Sequence, residues 1–321
     1  MSGFDDHYVD IVDYIVRITE EIWRDLAIGR IYETYDAHCT IYGANSVVRS
    51  VEDVVAATIA SIEGYPDSKT DHVNIAWRGD DTSGFYTSHL GYSGGTNLGA
   101  SGFGSATGKR VMSFFVADCI SRENRIHTEW LMHDTGAVLQ QLGLDLHETA
   151  RNIAATPPAN LYMISPPTRL DGQAPRRWSD MPDDTPDGWA RHHFDQIWNA
   201  RGLEHLPLHY AADAVAHWPG ARVANGPGEI AKLIISLLAS LPDATIRVEY
   251  VSWSEETDGV ILAARWLLEG TTRPGAFLGE VPGGKPVSMM GSTHFRFDGS
   301  YVVEEWTVFD ELGTLTQAYR A

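Results

Sequence analysis

An internal repeat constrains this chain more than any other feature of its sequence. Residues 66–143 align with residues 242–319 at a constant offset of 176, and the alignment needs no gap. Fifteen of the 78 aligned positions are identical, among them Glu129-Trp130 with Glu305-Trp306 and Asp134 with Asp310. A duplication of this size predicts two copies of one domain, so that one fold describes both halves.

The length and the distribution of prolines place the boundaries of the two copies. A chain of 321 residues exceeds what one hydrophobic core usually organises. Seven of the fifteen prolines fall within residues 156–187, a composition typical of an extended linker. We therefore expect domain 1 in residues 1–145, a proline-rich linker in residues 146–187, and domain 2 in residues 188–321.

The predicted elements follow the same order in both halves. In the first, apolar periodicity predicts a helix within residues 8–35, and Ser50 is the expected N-cap of a helix that ends near Glu63. Helices before short-linked antiparallel strands indicate the α+β class, with helices on one face of a curved sheet and a pocket between them. The second-half helices are expected at 189–202 and 228–241, and the strands at 72–78, 84–92, 110–121 and 125–133, then 245–254, 260–268, 285–297 and 301–310.

Charge and composition exclude several classes of partner. The formal net charge of −19 argues against binding to nucleic acid or to an anionic membrane, and no apolar run is long enough to span a bilayer. Two cysteines supply neither a disulfide framework nor a cysteine zinc site, and the start of the chain lacks a secretory signal. These observations predict a cytoplasmic protein.

No motif for a metal or a cofactor is found. His192 and His193 are adjacent and point to different helix faces, and no His-Glu-x-x-His is present. The glycine-rich stretch 99–109 lacks the spacing of a phosphate-binding loop and joins two predicted strands. We expect a small-molecule substrate, no cofactor and no metal.

Several segments together resemble one known family. In the second half they are Thr293–Gly299, Val303–Asp310, Gly228-Glu229, Pro242-Asp243 and the turn at Lys285; the first half has Ser50–Asp53, Thr107–Lys109 and Leu139–Gly143. In order and spacing the chain resembles two tandem SnoaL-like polyketide cyclases, which belong to the nuclear transport factor 2-like superfamily. The resemblance implies tandem cone-shaped α+β barrels, each with helices packed on a curved, mostly antiparallel sheet.

The same resemblance implies a set of catalytic residues. In that family an Asp after the Glu-x-Trp strand acts as acid or base, and a His on the preceding strand assists it. These positions correspond to Asp310 and His294 in the second half. The first half has Asp134, but the His position is occupied by Asp118, so a carboxylate pair replaces the family's pattern there.

Such residues suit proton transfer beside a carbonyl group. A base within hydrogen-bond reach can move the proton once burial draws its pKa toward the working pH. We therefore expect a cofactor-independent acid/base enzyme, of the aldol cyclase, isomerase or lyase type, for a small carbonyl-containing or polyketide-like substrate. Residues expected to bind that substrate are Tyr42, His89, His133, Arg265, Trp130 and Trp306.

Other interpretations of the same residues remain open. Asp134 and Asp310 precede helical stretches and could serve only as helix caps, and His294 could face solvent. Asp118 lies in an apolar run, where an Asp is costly unless it is paired. The alternatives for the whole chain are a non-catalytic binding protein, or one catalytic domain supported by a structural copy. We expect the copies to pack as an internal pseudo-dimer, which leaves assembly into a homo-oligomer open.

Overall fold

The computed structural model describes residues 1–44, 46–156, 184–256 and 259–320. Each half begins with helices and continues into strands. We call the first half copy one and the second half copy two. The elements of copy one are α1 (Ile11–Trp23), α2 (Ile31–Thr34), β1 (Tyr35–Tyr42), β2 (Val47–Val48), α3 (Val51–Gly64), β3 (Lys69–Asp80), β4 (Gly84–Thr96), β5 (Arg110–Arg122), β6 (Arg125–His133), α4 (Thr135–Leu142) and α5 (Leu146–Ala155).

Copy two has the same succession of helices and strands. A π-helical segment, Phe194–Asn199, directly follows its first helix. The elements of copy two are α6 (Pro186–His193), α7 (Leu206–His209), β7 (Tyr210–Trp218), β8 (Arg222–Asn225), α8 (Gly226–Ser240), β9 (Thr245–Glu256), β10 (Gly259–Thr271), β11 (Pro286–Asp298), β12 (Tyr301–Phe309) and α9 (Glu311–Arg320).

Local sequence accounts for the helix boundaries. Ser50 caps α3 as expected, since its hydroxyl accepts a hydrogen bond from the Asp53 amide at 3.2 Å. The first helix is shorter than the predicted range of 8–35: it ends at Trp23, and Leu26 then adopts a positive φ of 58°. This left-handed conformation is incompatible with a continuing helix.

The two sheets have one topology. Copy one has the strand order β2-β1-β6-β5-β4-β3, and copy two repeats it as β8-β7-β12-β11-β10-β9. The pairs β1–β6 and β7–β12 are parallel, and the other neighbouring pairs are antiparallel. The α+β class and the duplication are therefore confirmed. Each copy of the expected cone-shaped fold is an open, mostly antiparallel six-stranded sheet with helices packed on it.

The gapless alignment of the repeat hides two compensating shifts. Strands β3, β5 and β6 each lie 176 residues before β9, β11 and β12. Asp118 and His294 are counterparts at this offset of 176. Asp118 pairs with Ser88 and His294 pairs with Ala263, so β4 and β10 are related by an offset of 175 residues. Copy two has a β9–β10 hairpin one residue shorter and a loop before β11 one residue longer. Because a one-residue shift reverses the facing of every side chain in a strand, the sequence alignment misassigns β4.

Strand alternation gives each sheet a helix side and an opposite side. On β5, Phe115, Ala117 and Cys119 face the helices of copy one. Val116 and Asp118, between them, face copy two. The same alternation on β4 and β6 therefore decides which side chains can reach a cavity under the helices.

The opposite sides of the two sheets share a buried apolar cluster. Both copies contribute about equally to this cluster, and its members are 5% exposed or less, apart from Trp306 at 6%. Burial of a joint core of this kind makes the two halves stabilise each other. The cluster consists of Leu90, Val116 and Met132 from copy one and Leu267, Met290, Trp306 and Val308 from copy two.

The predicted linker begins with a helix. Helix α5 lies at its start and contacts α9 at the end of the chain, where Arg320 donates to the Ile153 carbonyl at 2.9 Å. Residues 157–183, which make up most of the predicted linker, lie outside the described part of the chain. Among the described residues, no helix combines the length and the apolar character needed to cross a membrane.

Candidate functional site

A cavity of about 380 Å³ lies inside copy one, between α1, α3 and the helix side of the sheet. Its volume falls within the range of small-molecule sites, and most of its wall is apolar. Among the described residues, neither Lys nor Arg lines it. The apolar part consists of Ile15, Ile18, Ile22, Trp23, Ile31, Ile41, Val48, Val54, Ala57, Phe115, Ala117, Ile126 and Leu131.

Glu129 places a carboxyl group on this wall. It projects from β6 toward the helices and is 7% exposed. Burial among apolar side chains raises the pKa of Glu129 to about 7, because the charged form loses its hydration; a hydrogen bond from Tyr35 opposes the shift, and the charge of Asp118 adds to it. Glu129 therefore exchanges a proton near neutral pH.

Tyr35 holds Glu129 in place. The Tyr35 hydroxyl donates to Glu129 Oε2 at 3.1 Å. Strand β1 lies parallel to β6 at this point, with Ile41 opposite Glu129. A proton donor on one oxygen leaves the other carboxyl oxygen free to face the cavity.

Two histidines lie on the wall with Glu129. His89 on β4 is 2% exposed, and burial lowers its pKa to about 3, with smaller contributions from His72 and His294. His133 on β6 lines the cavity and is partly accessible, and the loss of hydration among the surrounding protein atoms lowers its pKa to about 4. Both imidazoles are therefore neutral near pH 7 and can each donate or accept a hydrogen bond.

The register of the sheet sets the spacing across the wall. His89 pairs with Ala117, and Ala117 pairs with Leu131, which lies midway between Glu129 and His133 on β6. Two strand spacings amount to about 10 Å. The small Ala117 side chain leaves the space between the histidines and the carboxyl group open.

The equivalent interior of copy two is filled with aromatic side chains. Strand pairing places Trp218 where copy one has Gly43, and Phe309 where it has His133. Trp266 corresponds to Gly91, and its ring occupies the space that a side chain at Gly291 would need. Trp218 and Trp266 are each 1% exposed and Phe309 is fully buried.

Glu305, the counterpart of Glu129, is enclosed by this filling. Trp218 donates to it at 2.7 Å and Thr307 at 2.8 Å, and Tyr210 donates as well. The duplicated carboxyl group thus faces an open cavity in copy one and a packed core in copy two.

The structure places Asp134 and Asp310 at helix starts. Asp134 accepts from the Ala137 amide at 3.0 Å and from Gly220 of copy two at 2.9 Å. Asp310 accepts from the Gly313 amide at 3.0 Å and from the Thr135 hydroxyl of copy one at 3.0 Å. Burial raises the pKa of both, that of Asp310 to about 6. Neither residue lines the cavity described above.

Asp118 and His294 meet at the contact between the copies. Asp118 is fully buried, accepts from Ser88 at 2.5 Å and from Tyr86, and lies 3.3 Å from Arg265. His294 contacts Ser88 at 2.9 Å and Asn74 at 2.6 Å. Burial raises the pKa of Asp118, with Arg265 opposing the shift, and lowers that of His294 to about 3.

The remaining predicted residues divide between the cavity and the interface. His89 and His133 line the cavity as expected. Arg265 was expected to line a pocket; it instead lies over the Trp130 ring of copy one, at 3.8 Å from its centroid. Tyr42 stacks on the same ring, and Trp306 belongs to the joint apolar cluster. The one-residue shift of β10 explains the position of Arg265.

Sequence reasoning missed Glu129 as a chemical group. The repeat conserves it as Glu305, and alternation along β6 places it on the same side as Leu131 and His133. The alternation along β6 could therefore have been found in the sequence. The cavity around Glu129 could not be predicted, because it depends on small residues in other strands.

No cluster of His, Cys, Asp or Glu within the described ranges has the geometry of a metal site. The cavity wall contains the thiol of Cys119, whose pKa burial raises well above its ordinary value.

Comparison with known proteins bears on the family of the chain. The family model for SnoaL-like polyketide cyclases matches residues 189–318. No curated protein sequence gave a significant match.

Among solved structures, a protein assigned as a SnoaL-like polyketide cyclase from Jannaschia sp. CCS1 is 19% identical, with a TM-score of 0.38, over 46% of this chain and 99% of that chain. A protein assigned as a polyketide cyclase from Acidithiobacillus ferrooxidans is 20% identical, with a TM-score of 0.36, over 44% and 99%. IdmH from Streptomyces antibioticus, also assigned as a polyketide cyclase, is 25% identical, with a TM-score of 0.35, over 41% and 96%.

Proposed function

We propose, from the match of residues 189–318 to the family model for SnoaL-like polyketide cyclases and from the second sheet of the same topology before it, that this chain is a cofactor-independent acid/base enzyme. The reaction takes place in the cavity of copy one. Its substrate is a neutral, largely apolar molecule with an enolisable carbonyl group.

One observation carries this proposal: the Glu129 carboxyl group lies on an apolar cavity wall with its pKa raised to about 7. A base whose pKa matches the ambient pH combines the correct protonation state with sufficient basicity. Perturbed carboxyl groups in cavities are typical of functional sites.

The chemistry needs two groups on different parts of the wall. The Glu129 carboxylate takes a proton from the carbon next to the carbonyl, and a neutral imidazole of His89 or His133 donates a hydrogen bond to the developing enolate oxygen. Return of the proton to another carbon gives isomerisation. Attack of the enolate carbon on a second carbonyl gives an aldol cyclisation.

The charge of the wall selects the substrate. None of the described lining residues is Lys or Arg, so no permanent positive charge among them offsets the desolvation of a carboxylate or phosphate. The formal net charge of −19 acts in the same direction. A neutral substrate is therefore bound in preference to an anionic one.

In this proposal copy two has a supporting role. Its interior is occupied by Trp218, Trp266 and Phe309, and its sheet completes the joint apolar cluster. This is the arrangement of one catalytic domain with a structural copy.

Proton exchange of 2-tetralone tests the proposal. The protein is expected to accelerate loss of the α-protons in deuterated buffer, followed by proton NMR. Glu129→Gln should lower the rate at least about 100-fold, the typical contribution of a positioned base. Glu305→Gln, the same change at the duplicated position, should leave it within about twofold.

Binding is measured separately with 2-naphthol, a neutral mimic of the tetralone enol, and with the anion 2-naphthoate. The proposal requires tighter binding of 2-naphthol, which Glu129→Gln should retain. If 2-naphthol binds but the wild-type protein exchanges no protons above the buffer rate, the chain is a binding protein and the enzyme proposal fails.

A further inference from the structure

A line of three polar side chains leads from the cavity to the outside of copy one. His89 contributes to the cavity wall, and its Nε2 lies 2.8 Å from His72 Nδ1. The other nitrogen of His72 lies 3.7 Å from Glu20 Oε1, which is within ion-pair range. Glu20 is 32% exposed and also pairs with Arg24 at 2.9 Å. The link between the two histidines is a hydrogen bond, the link from His72 to Glu20 is an ion-pair distance longer than a hydrogen bond, and Glu20 reaches solvent.

A β-bulge directs His72 into this line. The register of β3 against β4 shifts between His72 and Asn74. In a regular strand these two residues would share a face. The extra residue places His72 on the helix side beside α1, whereas Asn74 contacts His294 of copy two. Bulges next to functional sites commonly re-aim a side chain in this way.

Copy two retains the bulge but has lost the polar groups. Its β9–β10 register shifts at the corresponding place, next to Arg265. The counterpart of His72 is Val248, and the counterpart of His89 is Ala264, which pairs with Val251 as His89 pairs with Ile75. The histidine pair therefore occurs only in the copy that has the cavity.

We propose that Glu20, His72 and His89 form a proton relay between solvent and the cavity, a proposal that rests on the acid/base function proposed above. His89 is the catalytic residue, which hydrogen-bonds the substrate oxygen through Nδ1. His72 and Glu20 are positioning residues that act through it.

Proton transfer along the relay is balanced at every atom. A proton arriving from the Glu20 side binds His72 Nε2, and the His72 Nδ1 proton passes to His89 Nε2. His89 then releases its Nδ1 proton to the enolate oxygen. One N–H bond forms and one breaks on each ring, so both end neutral in the other tautomer. The hydrogen bond between the rings is made in both states.

The surroundings keep His89 neutral between transfers. Burial lowers its pKa to about 3, and His72 and His294 add to this effect. The charged groups near the relay are Glu20 and Arg24 on α1, and His294 lies on the opposite side of the sheet. A neutral His89 is a donor to an enolate and does not compete with Glu129 as the base.

Nitrogen-15 NMR of the histidine side chains tests the coupling at pH 7 without any substrate. Without substrate the relay is in its discharged state: the Glu20 carboxylate favours the proton on His72 Nε2, which forces His89 to carry its proton on Nε2. Glu20→Gln is therefore expected to raise the fraction of His89 with a proton on Nδ1 by about twofold or more, although Glu20 contacts His72 and not His89. His127→Gln, at an exposed histidine near Asp36, should leave it unchanged.

Kinetics with 2-tetralone provide the second measurement. His72→Val, which installs the residue of copy two, should lower kcat for proton exchange about tenfold and leave KM and 2-naphthol affinity within twofold. A purely structural role would change binding together with kcat.

The relay is overturned if His89 tautomers are identical in wild type and Glu20→Gln, or if His72→Val leaves kcat unaltered. The NMR result is independent of turnover and should persist in Glu129→Gln. If the wild-type protein exchanges no protons but Glu20→Gln still changes the His89 tautomer, only the assignment of Glu129 as the base is refuted. If the protein exchanges protons but the His89 tautomer does not respond to Glu20→Gln, only the relay is refuted.

Discussion

At the scale of single residues, environment decides which of several buried carboxyl groups can act. Asp118, Asp134, Asp310 and Glu129 all have raised pKa values because of burial. The first three are held by protein donors at helix starts or between the copies. Glu129 alone of these four lines the described cavity. Accessibility to a ligand, and not the pKa itself, therefore separates it from the others.

Base catalysis by Glu129 gives a defined pH profile. The carboxylate is the active form and its pKa is about 7, so proton exchange of 2-tetralone should rise with pH and level off above about 8. Initial rates at constant ionic strength measure this. A midpoint near 4.5, the ordinary value for Glu, would contradict the assignment.

The same shift has a consequence for stability. Because the folded pKa of Glu129 lies above its unfolded value, the folded state prefers the protonated form, and Glu129 makes the protein less stable as pH rises from about 4.5 to about 7. Glu129→Gln should therefore raise Tm at pH 8 and change it little at pH 4.5. Calorimetry at both pH values is the measurement, and an equal change at both would contradict the account.

The buried pair of Asp118 and Arg265 predicts a large effect of removing one charge. Asp118→Asn leaves the guanidinium with only Glu249, at 2.7 Å, as a charged partner. Breaking a buried pair typically costs about 3–5 kcal/mol. Urea unfolding should show a loss of that order, whereas Asp187→Asn, at an exposed pair with Arg191, should cost at most about 1 kcal/mol. Equal losses would contradict the assigned burial.

At the scale of elements, helix capping explains two of the residues that the family resemblance singled out. Asp134 begins α4, and Asp310 accepts the Gly313 amide in the first turn of α9. Each also bonds the other copy, through Gly220 and Thr135. Their positions after the last strand of each copy thus have a structural explanation.

Asn replacements distinguish capping from catalysis. Asn is about as good an N-cap as Asp. The free energy of unfolding of Asp310→Asn should therefore lie within about 1 kcal/mol of the wild-type value, and the variant should exchange 2-tetralone protons at a similar rate. The free energy of unfolding and the exchange rate are measured on one preparation. A fold that is intact with exchange reduced 100-fold would restore Asp310 as an acid or base.

Sequence patterns predicted the elements better than their facing. The strands expected at 125–133 and 110–121 are observed at Arg125–His133 and Arg110–Arg122. The pattern of the repeat could not reveal that a shorter hairpin and a longer loop cancel, so it could not show which side of its sheet Arg265 faces. The bulge at His72 is likewise a feature of pairing that no single strand encodes.

At the scale of the molecule, duplication has allowed the two copies to diverge in their interiors. Gly43 and Gly91 leave space in copy one, where copy two has Trp218 and Trp266. The sequence contains these differences, but their meaning depends on which residues share a cavity, and that follows only from the paired strands. His89 and His133 could be named as candidates from their residue type and their place on predicted strands, but only the strand pairing places them on the cavity wall.

The central claim is that the ligand binds in the cavity of copy one. Titration of the protein with 2-naphthol, in wild type and in Ala117→Trp, tests it most directly. Ala117 lies on the cavity wall between His89 and Leu131, so an indole there fills the open space. Met112→Trp on the same strand, where Met112 is 56% exposed, is the control.

We predict one 2-naphthol site per chain in wild type and in Met112→Trp, and loss of that site in Ala117→Trp. Two sites per chain, or a site that survives Ala117→Trp in the folded protein, would contradict the claim.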